Sequence, residues 1–314
     1  MIISASRRTD IPAFYSRWFL NRIREKYVLV RNPYNTKAIS KISLAPEVID
    51  CLVFWTKNPA PMIGRLDQLQ DYPYYFQFTL NPYGPEIETH LPPLATRLDT
   101  FKRLSDKIGK QRVIWRYDPI FTNGNYTTAF HQENFAQMAE ALKDHTESCM
   151  LGFIDLYRHI RSVASRVGIL PLSPEEIMKT AVSFKETADH CGIWLNTCTA
   201  KIDLSELDIP GRACIDSQTI EQVTGYPITA KRDKNQRELC RCTESIDIGA
   251  YDSCLNGCLY CYAVKEKAEM LLHRTHQHNP TSPLLIGNIN PEDTITERPL
   301  KSFRTDQFSL WIGK

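Results

Sequence analysis

Long hydrophobic runs are missing from this chain. No apolar stretch approaches the roughly 20 residues that a membrane-spanning helix requires, which argues against a membrane partner. An excess of charge of one sign is missing too: 38 Lys and Arg against 36 Asp and Glu leave a formal net charge of +2. A nearly neutral chain exerts no general pull on nucleic acid, so contacts of that kind would have to come from local basic patches. No secretory leader is visible, because Met1–Asp10 opens on a short apolar stretch and turns polar and basic. A cytoplasmic location is the expectation, and thiols stay reduced there. Internal repeats and low-complexity segments are also lacking.

What remains is the composition of a globular protein, 42% hydrophobic and 24% charged over 314 residues, enough for one large domain or two ordinary ones. Such a chain buries a sizeable core without disulfide staples. Its ten cysteines are therefore informative: in a reducing compartment, clustered cysteines more often bind metal than form bridges.

Apolar, β-branched runs predict strands at Ile2–Ser6, Tyr27–Arg31, Cys51–Thr56, Tyr74–Leu80, Arg112–Tyr117, Met150–Leu156 and Ile193–Thr197. Most are apolar on both faces, as strands of a covered parallel sheet are. Helix-period segments lie between them. Ser173 and Glu176 form a capping box around Pro174, and Ile177, Ala181, Phe184 and Ala188 follow on one stripe until Gly192. Phe135, Met138, Ala139 and Leu142 make a second stripe; Leu98, Phe101, Leu104 and Ile108 make a third, stopped by Gly109. A further helix follows Asp10, with Pro12 near its start, and another is expected at Ala263–His273.

Repeated β-then-α units predict an α/β fold with a parallel sheet. A full or partial TIM-type (β/α) barrel is the first reading and a doubly wound open sheet the second. The expected organisation is a barrel-like domain over 1–198, a cysteine-rich iron–sulfur segment packed on it over 199–276, and a C-terminal arm over 277–314. The arm carries the apolar stretch Leu284–Ile286 and ends in Phe308–Trp311.

In such folds ligands bind at the carboxyl ends of the strands. Those ends carry Arg7, Arg8, Thr9 and Asp10; Thr56, Lys57 and Asn58; Gln77, Thr79 and Asn81; Arg116, Tyr117 and Asp118; Asp155 and Arg158; Asn196 and Cys198. Singly, each is an ordinary polar loop or turn residue. Together, Arg7, Lys57, Arg116, Asp118 and Asp155 would converge on one mouth. A mouth with both charge signs suits a ligand carrying an amine and a carboxylate.

The most specific pattern is Cys254-x₃-Cys258-x₂-Cys261. Three thiolates this close face a common centre. A [4Fe–4S] cluster normally takes four thiolates, so three leave one iron open to the amino and carboxylate groups of S-adenosylmethionine. Gly257 supplies permissive backbone for a loop wrapped around a cluster. Zinc is the rival occupant, although it favours four ligands in paired C-x₂-C knuckles. Cys240 and Cys242, with Cys198 and Cys214 farther back, are candidates for a second centre, either a fully ligated cluster or zinc. Cys51, Cys149 and Cys191 read as core residues.

At these residues the chain resembles a family of uncharacterised bacterial proteins, domain of unknown function 1848. The resemblance rests on Ile3–Pro12, Phe54–Pro59, Cys214-Ile215-Asp216, and Asp247–Gly249 through Cys254, Cys258, Cys261, Tyr262 and Ala263. It implies a radical-SAM-like protein: a [4Fe–4S] cluster on the triplet that cleaves S-adenosylmethionine to a 5′-deoxyadenosyl radical. It also implies an electron donor such as flavodoxin or ferredoxin. Tyr260 resembles the aromatic that radical-SAM loops place near adenine, and Thr56-Lys57 is similar to a strand end in the spore photoproduct lyase group. Two departures stand out. The cysteine loop lies near the C-terminus rather than after the first strand, as in a permuted radical-SAM barrel or a segment folded back over a complete one. The usual glycine-rich SAM-binding segment after the second strand is not evident.

Arg7, Arg8, Asp10, Lys57, Asn58, Arg116, Asp118 and Tyr260 are the candidates for holding S-adenosylmethionine or substrate. Two alternatives remain. One is a zinc-binding structural or binding protein. The other is a nucleic-acid-modifying or repair radical-SAM enzyme, with Arg7, Arg8, Lys231, Arg232 and Arg237 on phosphates and Trp55, Tyr72, Tyr74 and Tyr75 stacking on bases.

Overall fold

The computed structural model describes residues 1–265 and 268–305. In chain order its elements are β1 (Ile2–Ala5), α1 (Ile11–Phe14), α2 (Ser16–Glu25), β2 (Tyr27–Arg31), β3 (Ala38–Ser43), β4 (Cys51–Thr56), α3 (Ala60–Ile63), β5 (Tyr74–Thr79), α4 (Leu94–Ile108), β6 (Val113–Ile120), α5 (Thr128–Leu142), β7 (Ser148–Phe153), α6 (Arg161–Arg166), α7 (Pro174–His190), β8 (Trp194–Thr197), α8 (Ser217–Thr224), β9 (Ile246–Asp247), α9 (Ala268–Thr275) and β10 (Thr294–Glu297). Among the described residues no helix is long and apolar enough to cross a membrane.

Seven strands form a wholly parallel sheet in the order β8-β7-β6-β5-β4-β1-β9. Side chains alternate across it, so each strand feeds two cores. On one face Ile3, Phe54, Phe76, Trp115 and Leu151 pack with Phe19 of α2, Phe101 of α4, Phe135 of α5 and Phe184 of α7. Phe135 stacks on Trp115 at 4.9 Å and on Phe184 at 4.0 Å between ring centres. Each such ring taken wholly from water contributes on the order of 1.5–3 kcal/mol. On the other face Ile2, Val53, Tyr75, Ile114 and Met150 pack against residues of the 199–245 segment, among them Cys214, Ile215, Ile220 and Ile228. The main helices therefore lie on one face and the cysteine-rich segment covers the other. Both faces being covered explains why most strands read as continuous apolar runs.

Helix limits follow local chemistry. Asp10 caps α1 by accepting from Ala13 N at 3.0 Å. The reciprocal capping box of Ser173 and Glu176 starts α7. Gly109, at φ 91°, ends α4 in a backbone conformation that side-chain-bearing residues avoid.

One predicted strand belongs elsewhere. Tyr27–Arg31 pairs antiparallel with β3 in a separate three-stranded sheet, ordered β10-β3-β2. The reason is length: the connection over residues 32–37 is far shorter than the dozen or so residues a parallel crossover needs. The arm runs back along this small sheet. Leu29 N donates to Pro283 O at 3.0 Å, Leu284 packs on Leu29 and Ile39, and β10 adds to β3. The helix expected at Ala263–His273 is observed as Ala268–Thr275, with Ala263–Lys265 outside it. Glu266, Lys267 and Phe308–Trp311 lie outside the described residues.

Candidate metal centre and the cavity around it

The carboxyl ends of β1, β4, β5, β6, β7 and β8 open onto a cavity of about 460 Å³. Arg7, Arg8, Asp10, Lys57, Arg116, Asp118 and Asp155 line it, as do Cys254, Cys258, Cys261 and Tyr260. Cys198, Cys214, Cys240 and Cys242 line the same cavity. The seven cysteines form two groups.

The first group is the 254–261 loop, which is fastened to the sheet from several sides. Asn256 Nδ2 donates to Asp10 Oδ2 at 3.0 Å, and Tyr15 OH donates to Ser253 O at 2.5 Å. His90 N donates to Asn256 O, Leu259 N to Ile87 O, and Thr89 Oγ1 to Gly257 O. Tyr262 OH donates to Arg7 O at 2.6 Å. Gly257 sits at φ 69°, and a Cβ there would stand 2.9 Å from His90 Nδ1, so the position requires glycine on two counts. Backbone N–H groups of Asp10 and Asn256 point at Cys254 Sγ, and those of Ala263 and Val264 at Cys261 Sγ. Burial pushes the Cys254 thiol up to about 12, helped by the nearby Cys261 and Asp10 charges. Burial raises Cys258 and Cys261 as well. Displacing those protons is the cost any thiolate-binding cation has to meet.

Beside the loop lies a buried charge network. Glu88, whose side chain is 0% exposed, accepts from Lys57 Nζ at 2.8 Å and from Arg97 Nη1 at 3.0 Å. Tyr260 OH donates to the same carboxylate and lies 2.9 Å from Lys57 Nζ. Burial alone would lower the Lys57 ammonium, but Glu88 and the neighbouring Cys258 outweigh it and raise it. A fixed cation thus stands next to the triplet. Neither Glu88 nor Arg97 was singled out from the sequence. Glu88 sits in a loop with no periodicity. Arg97 carries a signal in retrospect, since a cation in the first turns of α4 opposes the helix dipole.

The second group is built from distant segments. Cys214 hydrogen-bonds with Cys198, Sγ to Sγ 2.9 Å, and with Cys242, which in turn bonds with Cys240. Arg116 Nη1 donates to Cys214 Sγ at 2.9 Å, its Nη2 pairs with Asp118, and its guanidinium lies over the Trp55 ring at 5.2 Å. Cys214 O accepts from Tyr75 OH at 3.0 Å and Gln77 Nε2 at 2.8 Å.

Other predicted residues take structural roles. The two Asp10 oxygens accept from Ala13 N, Thr56 Oγ1, Lys57 N and Asn256 Nδ2. Asp10 is therefore a bracket joining β1, β4 and the cysteine loop, with burial raising its pKa against those four donors. Asn58 lies off the cavity lining and accepts from Ala60 N at the start of α3. Arg158 is exposed and outside the lining. Asp155 pairs with Lys201 and Arg237. Asp247, part of the stretch that carries the family resemblance, accepts from Ser4 Oγ, Ser6 Oγ, Arg7 N and Gly249 N and holds β9 to the end of β1.

Of the aromatics expected to stack on bases, Trp55 lines the cavity. Tyr72, Tyr74 and Tyr75 are buried in the cores because they flank or belong to a strand covered on both faces. Arg7 is engaged with Asp247 and Asp233, and Arg232 with Cys240 O. Cys51, Cys149 and Cys191 are buried in the hydrophobic cores and are not in the cavity lining, although Cys51 shares its core with Cys214, Cys240 and Cys242.

Fold and site together define an α/β protein with a parallel sheet whose strand ends carry buried charge and two sets of cysteines. The chain belongs to the family described as Domain of unknown function (DUF1848), which matches residues 2–263. No curated protein and no solved structure matches it.

Proposed function

We propose that the chain is a radical-SAM-like enzyme, with a [4Fe–4S] cluster on Cys254, Cys258 and Cys261 and S-adenosylmethionine in the cavity beside it. The observation that carries this is the position of three thiols from one loop on the same cavity as strand ends of both charge signs.

The donor set suits the group. The three thiols lie close enough that neighbouring thiolate charge raises Cys254 and Cys258. The backbone N–H groups at Cys254 and Cys261 are donors of the kind that stabilise cluster-bound sulfur. Such a cluster, with one iron left open, supplies the electron that breaks a carbon–sulfur bond of S-adenosylmethionine and yields the 5′-deoxyadenosyl radical. A flavodoxin or ferredoxin would deliver that electron. Lys57 supplies fixed positive charge beside Cys258, and Arg7, Arg116 and Asp118 offer partners for a carboxylate and an amine. The one-sided helix layer supports a partial (β/α) barrel over 1–198. Residues 199–276 would then pack in its mouth, with 277–314 as an arm.

The test is anaerobic reconstitution of the full chain with iron and sulfide, followed by reductant and S-adenosylmethionine. About four irons at the triplet and formation of 5′-deoxyadenosine are expected, and both should be lost in Cys254→Ala/Cys258→Ala/Cys261→Ala. A cluster that forms but never cleaves S-adenosylmethionine would refute the assignment.

A further inference from the structure

We infer that Cys198, Cys214, Cys240 and Cys242 form a second, closed metal site that binds a single zinc ion. The inference is independent of the radical-SAM reading, because it uses none of the triplet's residues.

The four cysteines come from three separate places: the end of β8, the loop before α8, and the 240–242 segment that returns toward β9. Folding nonetheless brings them into one chain of contacts, Cys198 to Cys214 to Cys242 to Cys240. Seven cysteines line the cavity in two sets, and in this set only Cys240 and Cys242 are neighbours in sequence. Cys214, Cys240 and Cys242 are buried, at 3%, 6% and 2% exposure. Free thiols packed against each other gain little, whereas four thiolates around one divalent ion satisfy every ligand position of a tetrahedral structural site.

The size of the group selects the occupant. The Cys198–Cys214 separation is 2.9 Å, against about 3.8 Å along the edge of a tetrahedron with Zn–S bonds of about 2.3 Å. No three His, Cys, Asp or Glu side chains among the described residues stand in coordination geometry as they are. Zinc seated on this pair would open it by about 1 Å. A four-iron cube would have to drive the sulfurs much farther apart, against a Cys214 backbone held by Tyr75 and Gln77 and a Cys242 sulfur that accepts from Ile215 N at 3.4 Å.

Donors around the site are those a metal-bound thiolate needs. Arg116 donates to Cys214 Sγ at 2.9 Å, and Ile215 N donates to Cys242 Sγ. Four thiolates and one zinc ion leave two negative charges, which the buried guanidinium partly balances. Zinc binding displaces the thiol protons and involves no change of oxidation state. Its effect is to rivet the 199–245 segment to the sheet face and to fix Arg116 on the cavity wall.

The experiment uses the full chain carrying Cys254→Ala/Cys258→Ala/Cys261→Ala, prepared without oxygen, so that only the second group can bind. Titration with cobalt(II) should give the visible bands of tetrahedral thiolate coordination at one equivalent, and zinc should abolish them. Adding Cys240→Ala/Cys242→Ala should remove both responses. Unaltered protein provides the check against misfolding: it should carry one zinc per chain, and removing that zinc with chelator should expose four further thiols to a thiol reagent. Absence of tetrahedral cobalt bands, no shielding of thiols by zinc, or iron and sulfide in place of zinc on the triplet-less chain would overturn the inference. Iron lost from the triplet with zinc retained would bear on the proposed function alone.

Discussion

The wholly buried Glu88 carboxylate holds two cations beside the cysteine loop. Its carboxylate accepts from Lys57 at 2.8 Å and Arg97 at 3.0 Å, with Tyr260 and Asn81 completing the set. Glu88→Gln keeps the shape and removes the charge, which leaves two buried cations facing a neutral amide. Removing one partner of a buried ion pair costs about 3–5 kcal/mol. Arg97 retains the carbonyls of Pro92, Asn81 and Tyr83 as acceptors, and Lys57 is 13% exposed to the cavity, so the low end, about 3 kcal/mol, is expected. At about 2.1 cal/mol/K per residue, 314 residues unfold with an entropy of about 0.66 kcal/mol/K. The loss therefore appears as a fall in Tm of about 5 °C. Thermal and urea unfolding of metal-free protein measure it. In Lys57→Met/Glu88→Gln, which removes the pair together, the loss should be smaller than the sum of the single losses by about 0.5–3 kcal/mol. A Glu88→Gln protein within about 1 kcal/mol of the parent, or strictly additive losses, would show that no such network holds the loop.

Three further outcomes follow from single groups. His131 is buried with Tyr117 OH at Nδ1 and Phe121 O at Nε2, and burial lowers it to about 4; its contribution is complete above about pH 6.5 and lost as pH falls, about 2 kcal/mol by pH 5. Denaturation curves at pH 7 and pH 5 should show a pH dependence that His131→Gln reduces, and an unchanged slope would contradict the assignment. Gly257→Ala forces a Cβ to within 2.9 Å of His90 Nδ1 at φ 69°, a backbone cost of about 1–2 kcal/mol before the clash; iron content after reconstitution should drop, while the cobalt response of the second cysteine group persists. Cys51 and Cys149 lie in the sheet core, so Cys51→Ala and Cys149→Ala should lower stability and leave metal content unchanged, which metal analysis of the purified variants decides.

Much of the frame could be read without coordinates. The capping box at Ser173, the stripes of α4, α5 and α7, and all seven predicted strands stand where period and flanking residues placed them, six of those strands in the parallel sheet. Each is a local property, set by neighbours within a few positions. The strand-end residues Arg7, Lys57, Arg116, Asp118 and Asp155 line one cavity because a parallel sheet brings all its carboxyl ends to one side. β3 escaped notice because Ile39 and Ile42 fall on opposite faces of a six-residue strand, which blurs the alternation that marks a strand.

The sequence by itself determined the periodic elements, the parallel sheet and the close spacing of Cys254, Cys258 and Cys261, since each is written in residues near one another along the chain. Tertiary structure alone decided that Tyr27–Arg31 leaves the main sheet, that Glu88 locks Lys57 beside the triplet, and that Cys198 and Cys214 meet Cys240 and Cys242. These pairings join positions far apart in the chain. Their energy comes from burial and charge compensation in the closed fold, and nothing in the local pattern records which distant partner a buried charge or thiol will find.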